Sequence, residues 1–336
     1  MAIAIGVALV FTNVIALPGS SDARITAAPR HQSATTTTTS RPATKHRALT
    51  PNAPLRLWIA GDSLAGSIGP SLGQMTANTG VVQPQYDSRV SSGLLTPDFF
   101  DWPKHVTEQL ALLDPEAVVF IVGTNDANVW SSSRAAEYRV RTEALMRELV
   151  GSDHREVLWV GAPVAKDKSL EAGVVSVNVI QRAAADRVPG VTYVDAHALF
   201  DDDRGAYQQS FADELGRRHV MRAGDGVHFS VAGADYISRA LFRMLDRRWN
   251  LTRQTVAGAP KRVLETKGST QVPGTHRSVG AQVGPSNGSG STGSSGSTST
   301  TTSTTIATGS TTSTSTTSVS TAPTTTTTTT AIPPGP

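Results

Sequence analysis

The sequence predicts an α/β protein: an open parallel sheet of five strands in flavodoxin-like order, with helices on both faces. Two observations predict it. Between residues 53 and 250, short apolar runs alternate with longer amphipathic ones, the pattern of right-handed strand–helix–strand crossovers. One run, Ala117–Val122 (Ala-Val-Val-Phe-Ile-Val), is apolar at every position, as a strand covered on both faces must be.

The elements follow in order. Leu55–Ala60 is the first strand, and it breaks at Gly61-Asp62-Ser63. Gly66–Asn78 is the first helix, and Val81–Tyr86 the second strand. Lys104–Leu113 is a helix with Val106, Leu110 and Leu113 on one face. After the third strand, Ala117–Val122, Arg134–Val150 is an amphipathic helix that turns Ala135, Tyr138, Leu145, Met146 and Leu149 inward. Val157–Val160 is the fourth strand. Leu170–Val188 is a helix closed by Pro189-Gly190. Val191–Val194 is the fifth strand and Val231–Trp249 the last helix.

The ends of the 336-residue chain differ from this middle. Ala2 to Pro18 is an apolar run of signal-peptide length, so residues 1–19 are expected to be a signal peptide or an N-terminal anchor. No Lys or Arg precedes the run, while Arg24 and Arg30 follow it, the reverse of the usual bias. Residues 20–52 are rich in Thr, Pro and Ala and read as a linker. Residues 251–336 read as a disordered tail, almost wholly Ser, Thr and Gly from 285 to 330. These segments place the folded domain at 53–250 and the protein outside the cytoplasm, secreted or held at the cell envelope.

Charge is distributed unevenly. The net charge is +3, but residues 20–52 and 251–336 each carry +4, which leaves the middle near −5. The basic pI is therefore a property of the flanks, and the domain is not expected to bind nucleic acid. Basic flanks suit contact with an anionic wall polymer or a membrane surface. There is no cysteine, which excludes disulfides, thiolate chemistry and Cys-based metal sites.

Four polar turns carry the chemistry: Gly61-Asp62-Ser63-Leu64, Ser91-Ser92-Gly93, Gly123-Thr124-Asn125-Asp126, and Asp225-Gly226-Val227-His228. Each alone is an ordinary turn or helix cap. Together they follow different strands, and in a doubly wound sheet such loops gather at the carboxyl edge. They supply a hydroxyl (Ser63), a side-chain amide (Asn125), a glycine N–H (Gly93), and an imidazole with a carboxylate three residues upstream (His228, Asp225). Serine attack on a carbonyl needs that inventory: a base for the hydroxyl proton, a carboxylate to hold the base, and donors for the oxyanion.

The ordered set resembles the SGNH/GDSL hydrolases, whose four blocks supply Ser, Gly, Asn and His in that order. The resemblance covers about 55–250 and implies a three-layer α/β/α sandwich. It makes Ser63 the nucleophile, His228 the general base and then acid, and Asp225 its orienting partner. It also implies an oxyanion hole formed by Ser63, Gly93 and Asn125, and it implies no metal or cofactor. Asp98-Phe99-Phe100-Asp101-Trp102-Pro103 also resembles an exported bacterial subset of the family.

The function expected is a serine esterase working through an acyl-enzyme as a monomer. Its substrate would be a small ester or an acetylated glycan, with O-acetyl groups on carbohydrate or envelope polymer foremost. An O-acyltransferase on the same substrates, or a non-catalytic glycan-binding domain, uses the same fold. Trp130, in a polar loop, is the candidate substrate contact, whereas Trp58 and Trp159 read as core. His105, His154, His197 and His219 lack an acid three residues upstream before a terminal helix. Asp201-Asp202-Asp203 reads as a solvated acidic loop. Gly284-Pro285-Ser286-Asn287-Gly288 matches another serine-hydrolase pattern but has no strand before it.

Overall fold

A computed structural model of the chain describes residues 46–152, 154–202, 204–212, 216–275 and 282–283. The signal or anchor segment, the linker up to residue 45, the Gly284–Gly288 pattern and the Ser/Thr-rich stretch lie outside them.

Five strands stand where the alternation places them: β1 (Leu55–Gly61), β2 (Val82–Ser88), β3 (Ala117–Ile121), β4 (Glu156–Val160) and β5 (Val191–Val194). They pair in parallel in the order β5-β4-β3-β1-β2, the flavodoxin-like order expected. A short antiparallel hairpin, β6 (Ser210–Ala212) with β7 (Arg218–Val220), stands apart from the sheet. Beyond it the chain returns to the sheet. β8 (Leu264–Glu265) pairs in parallel with β2, and β9 (Gln282–Val283) with β8. Among the described residues the sheet therefore has seven strands rather than five. Both additions are two residues long, too short for a period-two pattern to show.

Among the described residues, seven α-helices complete the fold: α1 (Ser63–Ala77), α2 (Trp102–Leu113), α3 (Thr124–Asn128), α4 (Ala135–Val150), α5 (Lys168–Arg187), α6 (Ala196–Phe200) and α7 (Val231–Trp249). The alternation of side chains along each strand builds two cores. Leu57, Ile59, Val119, Ile121 and Val160 face α1, α6 and α7 through Ile68, Leu72, Phe200, Ile237 and Leu241. Trp58, Val118, Phe120, Val157 and Trp159 face α2, α4 and α5 through Val106, Leu145, Leu149, Val174 and Val177. This is the three-layer sandwich, and Trp58 and Trp159 are core residues in it.

The folded unit is larger than residues 53–250. Before it, His46 stacks on Trp249 at 3.7 Å, Arg47 pairs with Glu116 at 2.7 Å, and Leu49 is buried. After it, Leu251 and Val263 are buried in the α1/α7 core. Among the described residues, no helix is long and apolar enough to cross a membrane.

Candidate active site

The site starts at the end of β1. Gly61 has φ 147°, and a Cβ there would stand 1.8 Å from the carbonyl oxygen of Ile121 on β3. Only glycine lets the two strands close at this point. The Asp62 N–H then donates to the same carbonyl at 2.9 Å. The Asp62 carboxyl caps α1 by accepting the Leu64 N–H at 2.9 Å. This turn delivers Ser63 as the first residue of α1, 7 % exposed, at the carboxyl edge of the sheet and the positive end of the helix.

His228 arrives from the far end of the chain. Ser230 caps α7 by accepting the Gly233 N–H, and the turn before it is braced by Asp225, whose Oδ1 accepts the N–H groups of Val227 and His228 at 2.8 and 3.0 Å. Asp225 Oδ2 lies 2.7 Å from His228 Nδ1, and His228 Nε2 lies 2.8 Å from Ser63 Oγ. With Nδ1–H donating to the carboxylate, Nε2 presents its lone pair to the serine hydroxyl. Burial alone would raise the Asp225 carboxyl. The two amides and the imidazole outweigh it and hold the group below the usual carboxylate range, so it stays ionised.

The other two blocks meet beside this chain of bonds. After β2, Ser91 takes φ 67°, a left-handed turn that is uncommon outside glycine. The turn aims the Ser92 carbonyl at Asn125, whose Nδ2 donates to it at 2.8 Å. Among the described residues this is the one hydrogen bond that Asn125 Nδ2 donates. A Cβ at Gly93 would stand 2.7 Å from Asp126 Oδ1, so any side chain there would have to displace that carboxyl. Asp126 Oδ1 itself accepts the Leu95 N–H at 2.7 Å. Among the described residues, no acceptor lies within hydrogen-bond range of the Ser63 or Gly93 amide.

Two buried carboxyls lie under the site. Burial pushes Asp62 up to about 7, against the pull of the Leu64 amide, and Asp126 up to about 6, against the amides of Leu95 and Leu94. Among the described residues, each also has one oxygen, Oδ2, buried without a hydrogen-bond partner.

The remaining candidates fall elsewhere. His105 pairs with the buried Asp87 at 2.5 Å, and His197 with Glu171 at 2.6 Å. His154 sits in a surface turn at φ 56°, and His219 is on β7. Asp202 caps its own loop through the amides of Arg204 and Ala206. No group of side chains among the described residues is arranged to hold a metal ion. Trp130 is half-buried, with its ring edge-on to Tyr138 at 6.0 Å.

Sequence reasoning missed a strap along the end of β2, just ahead of the second block. Residues 266–271 follow β8 and hold the end of β2 from outside. Ser269 Oγ accepts the Ser88 N–H at 3.0 Å and Thr270 Oγ1 the Val90 N–H at 2.8 Å. The Ser88 hydroxyl donates to the Thr270 carbonyl and Arg89 to the Gly268 carbonyl. Arg89 also pairs at 3.0 Å with Asp87, which is fully buried and shared with His105. Nothing in the composition of 266–271 signals this, since the contacts are mostly to backbone.

A parallel three-layer sandwich with Ser, Gly, Asn and His–Asp at its carboxyl edge defines the SGNH-like class. The chain belongs to the family described as a protein of unknown function, DUF459, whose profile matches residues 56–244. No curated protein matches the sequence. Among solved structures it is similar to a lipase/acylhydrolase from Enterococcus faecalis, at 19% identity over 58% of this chain and 97% of that one, with a TM-score of 0.40. It is also similar to the acetylxylan esterase Axe2 from Geobacillus stearothermophilus, at 15% identity over 57% and 94%, with a TM-score of 0.42.

Proposed function

We propose that the chain is a serine esterase. Ser63 Oγ attacks the ester carbonyl while its proton passes to His228 Nε2. The N–H groups of Ser63 and Gly93 and the second side-chain N–H of Asn125 receive the oxyanion. Collapse expels the alcohol, which takes the proton from His228, and leaves an acyl-Ser63. A water molecule then gives its proton to His228, attacks the acyl carbon, and releases the acid and the serine. Asp225 stays ionised throughout and supports the imidazolium. The observation that carries this reading is the unbroken line of bonds from Ser63 through His228 to Asp225, at 2.8 and 2.7 Å.

For the substrate we infer an O-acetyl group on carbohydrate or on an envelope polymer. The support is in the sequence: an apolar N-terminal run of export type and a Ser/Thr-rich tail suited to a surface-tethered or secreted protein. The test is turnover of p-nitrophenyl acetate together with fluorophosphonate labelling. The wild type is expected to do both, and Ser63→Ala neither. Its kcat should fall by about 10⁴–10⁶ with the fold intact by circular dichroism. A Ser63→Ala variant as active as wild type would remove the nucleophile. A wild type that neither turns over nor labels would make the domain a binding module. Acetylated wall glycans, assayed for acetate released against acetate moved to an acceptor, distinguish hydrolysis from transfer.

A further inference from the structure

Arg222 is fully buried, yet among the described residues no carboxylate lies within ion-pair distance of it. A buried charge without a counter-ion is costly unless other groups replace its water. Here two carbonyls and three rings do so for the two Nη groups, while Nε is buried without a hydrogen-bond partner among the described residues. Nη1 donates to the Val164 carbonyl and Nη2 to the Val227 carbonyl, each at 2.7 Å. The guanidinium lies 5.3 Å from the ring centre of Tyr207 and 5.6 Å from those of Phe200 and Phe229. So many partners for one cation ask what the arrangement holds in place.

It holds the turn that carries His228. Arg222 bridges Phe229 across the base of this turn, and the Ala223 N–H donates to the His228 carbonyl at 2.8 Å. Val227 C=O and His228 N–H belong to one planar peptide unit. Arg222 grips its oxygen at 2.7 Å, and Asp225 Oδ1 accepts its N–H at 3.0 Å from the other side. A plane fastened at both ends cannot rotate, so the Cα of His228 has one position. Asp225 Oδ2 then sets the ring. Through Nη1 the same guanidinium ties this unit to the Val164 carbonyl, just past β4.

We propose that Arg222 is a positioning residue for His228: by bridging the carbonyls of Val227 and Val164 it fixes the peptide plane from which the imidazole reaches Ser63. This rests on the reading of Ser63 and His228 as nucleophile and base. A merely structural Arg222 would affect stability and leave the chemistry of the folded enzyme alone. A positioning Arg222 controls the alignment of Nε2 with Oγ, which acts on kcat and not on ester binding.

The test compares full-length wild type, Arg222→Met and Arg222→Lys. Met fits the aromatic box without charge, and Lys keeps the charge with one compact donor in place of the fork. With p-nitrophenyl acetate, Arg222→Met is expected to lose about 10²-fold in kcat, as a small misplacement of a catalytic group can, with KM within about twofold of wild type. Arg222→Lys should recover part of the loss. The far-downfield proton resonance of His228 Nδ1–H should broaden or move in Arg222→Met. Should Arg222→Met fail to fold, Arg222→Lys carries the same readouts against wild type, since lysine cannot span both carbonyls. Variants that fold with wild-type kcat and an unmoved resonance would overturn the inference. A wild type with neither turnover nor fluorophosphonate labelling would instead overturn the esterase reading beneath it.

Discussion

At the scale of the residue, Asp62 carries two duties that pull against each other. It caps α1 directly beside the serine, and it does so in full burial. Burial raises its carboxyl from 3.8 to about 7, so the folded state holds a proton that the unfolded chain releases. A group raised in this sense stabilises the fold below its unfolded value and loses that contribution as the pH climbs through about 7. Asn keeps the cap and does not titrate. The melting temperature of Asp62→Asn relative to wild type is therefore expected to rise by on the order of 5 °C between pH 4.5 and 8. A difference that stays constant with pH, in scanning fluorimetry, would show that Asp62 is ionised throughout. The glycine of the second block is a residue-scale matter too. Its wording, Ser-Ser-Gly, is unremarkable until Asp126 is seen to occupy the space of its side chain.

At the scale of the element, the end of β2 depends on residues about 180 positions later in the chain. Asp87 on β2 is wholly buried, and Arg89 and His105 share its charge. Removing the cation alone leaves a buried carboxylate, which costs more than removing both charges. Arg89→Leu is expected to destabilise by about 3 kcal/mol in urea unfolding, and Asp87→Asn added to it to recover part of that loss. Additive losses would mean that the pair is not coupled. Because Arg89 also holds the Gly268 carbonyl, the strap along the end of β2 should loosen with it, detected as faster proteolysis within residues 264–275.

At the scale of the whole molecule, both ends of the folded unit lie outside the alternating pattern. Residues 46–49 supply the stack on Trp249 and a buried leucine, and residues 251–275 supply two buried apolar residues and a strand. A chain cut to 46–275 is expected to unfold cooperatively and keep the esterase rate of the full chain. A chain cut to 53–250 should melt on the order of 10 °C lower and expose the edge of β2. Equal melting temperatures would place the boundary where composition alone puts it.

The sequence by itself determined five strands of the sheet, the helices that alternate with them, and the four turns that carry Ser63, Gly93, Asn125 and His228. Strand and helix periodicity are local, and glycine or a capping side chain marks a turn wherever it falls. Tertiary structure alone decided the rest. The grip of Arg222 on Val227, the carboxyl of Asp126 under Gly93, and the strap from β8 across β2 are contacts between a side chain and a distant backbone or a missing Cβ. Such contacts leave no periodic trace, because a carbonyl or an amide is the same in every residue that offers it. They exist only once the chain has closed and brought those groups within reach.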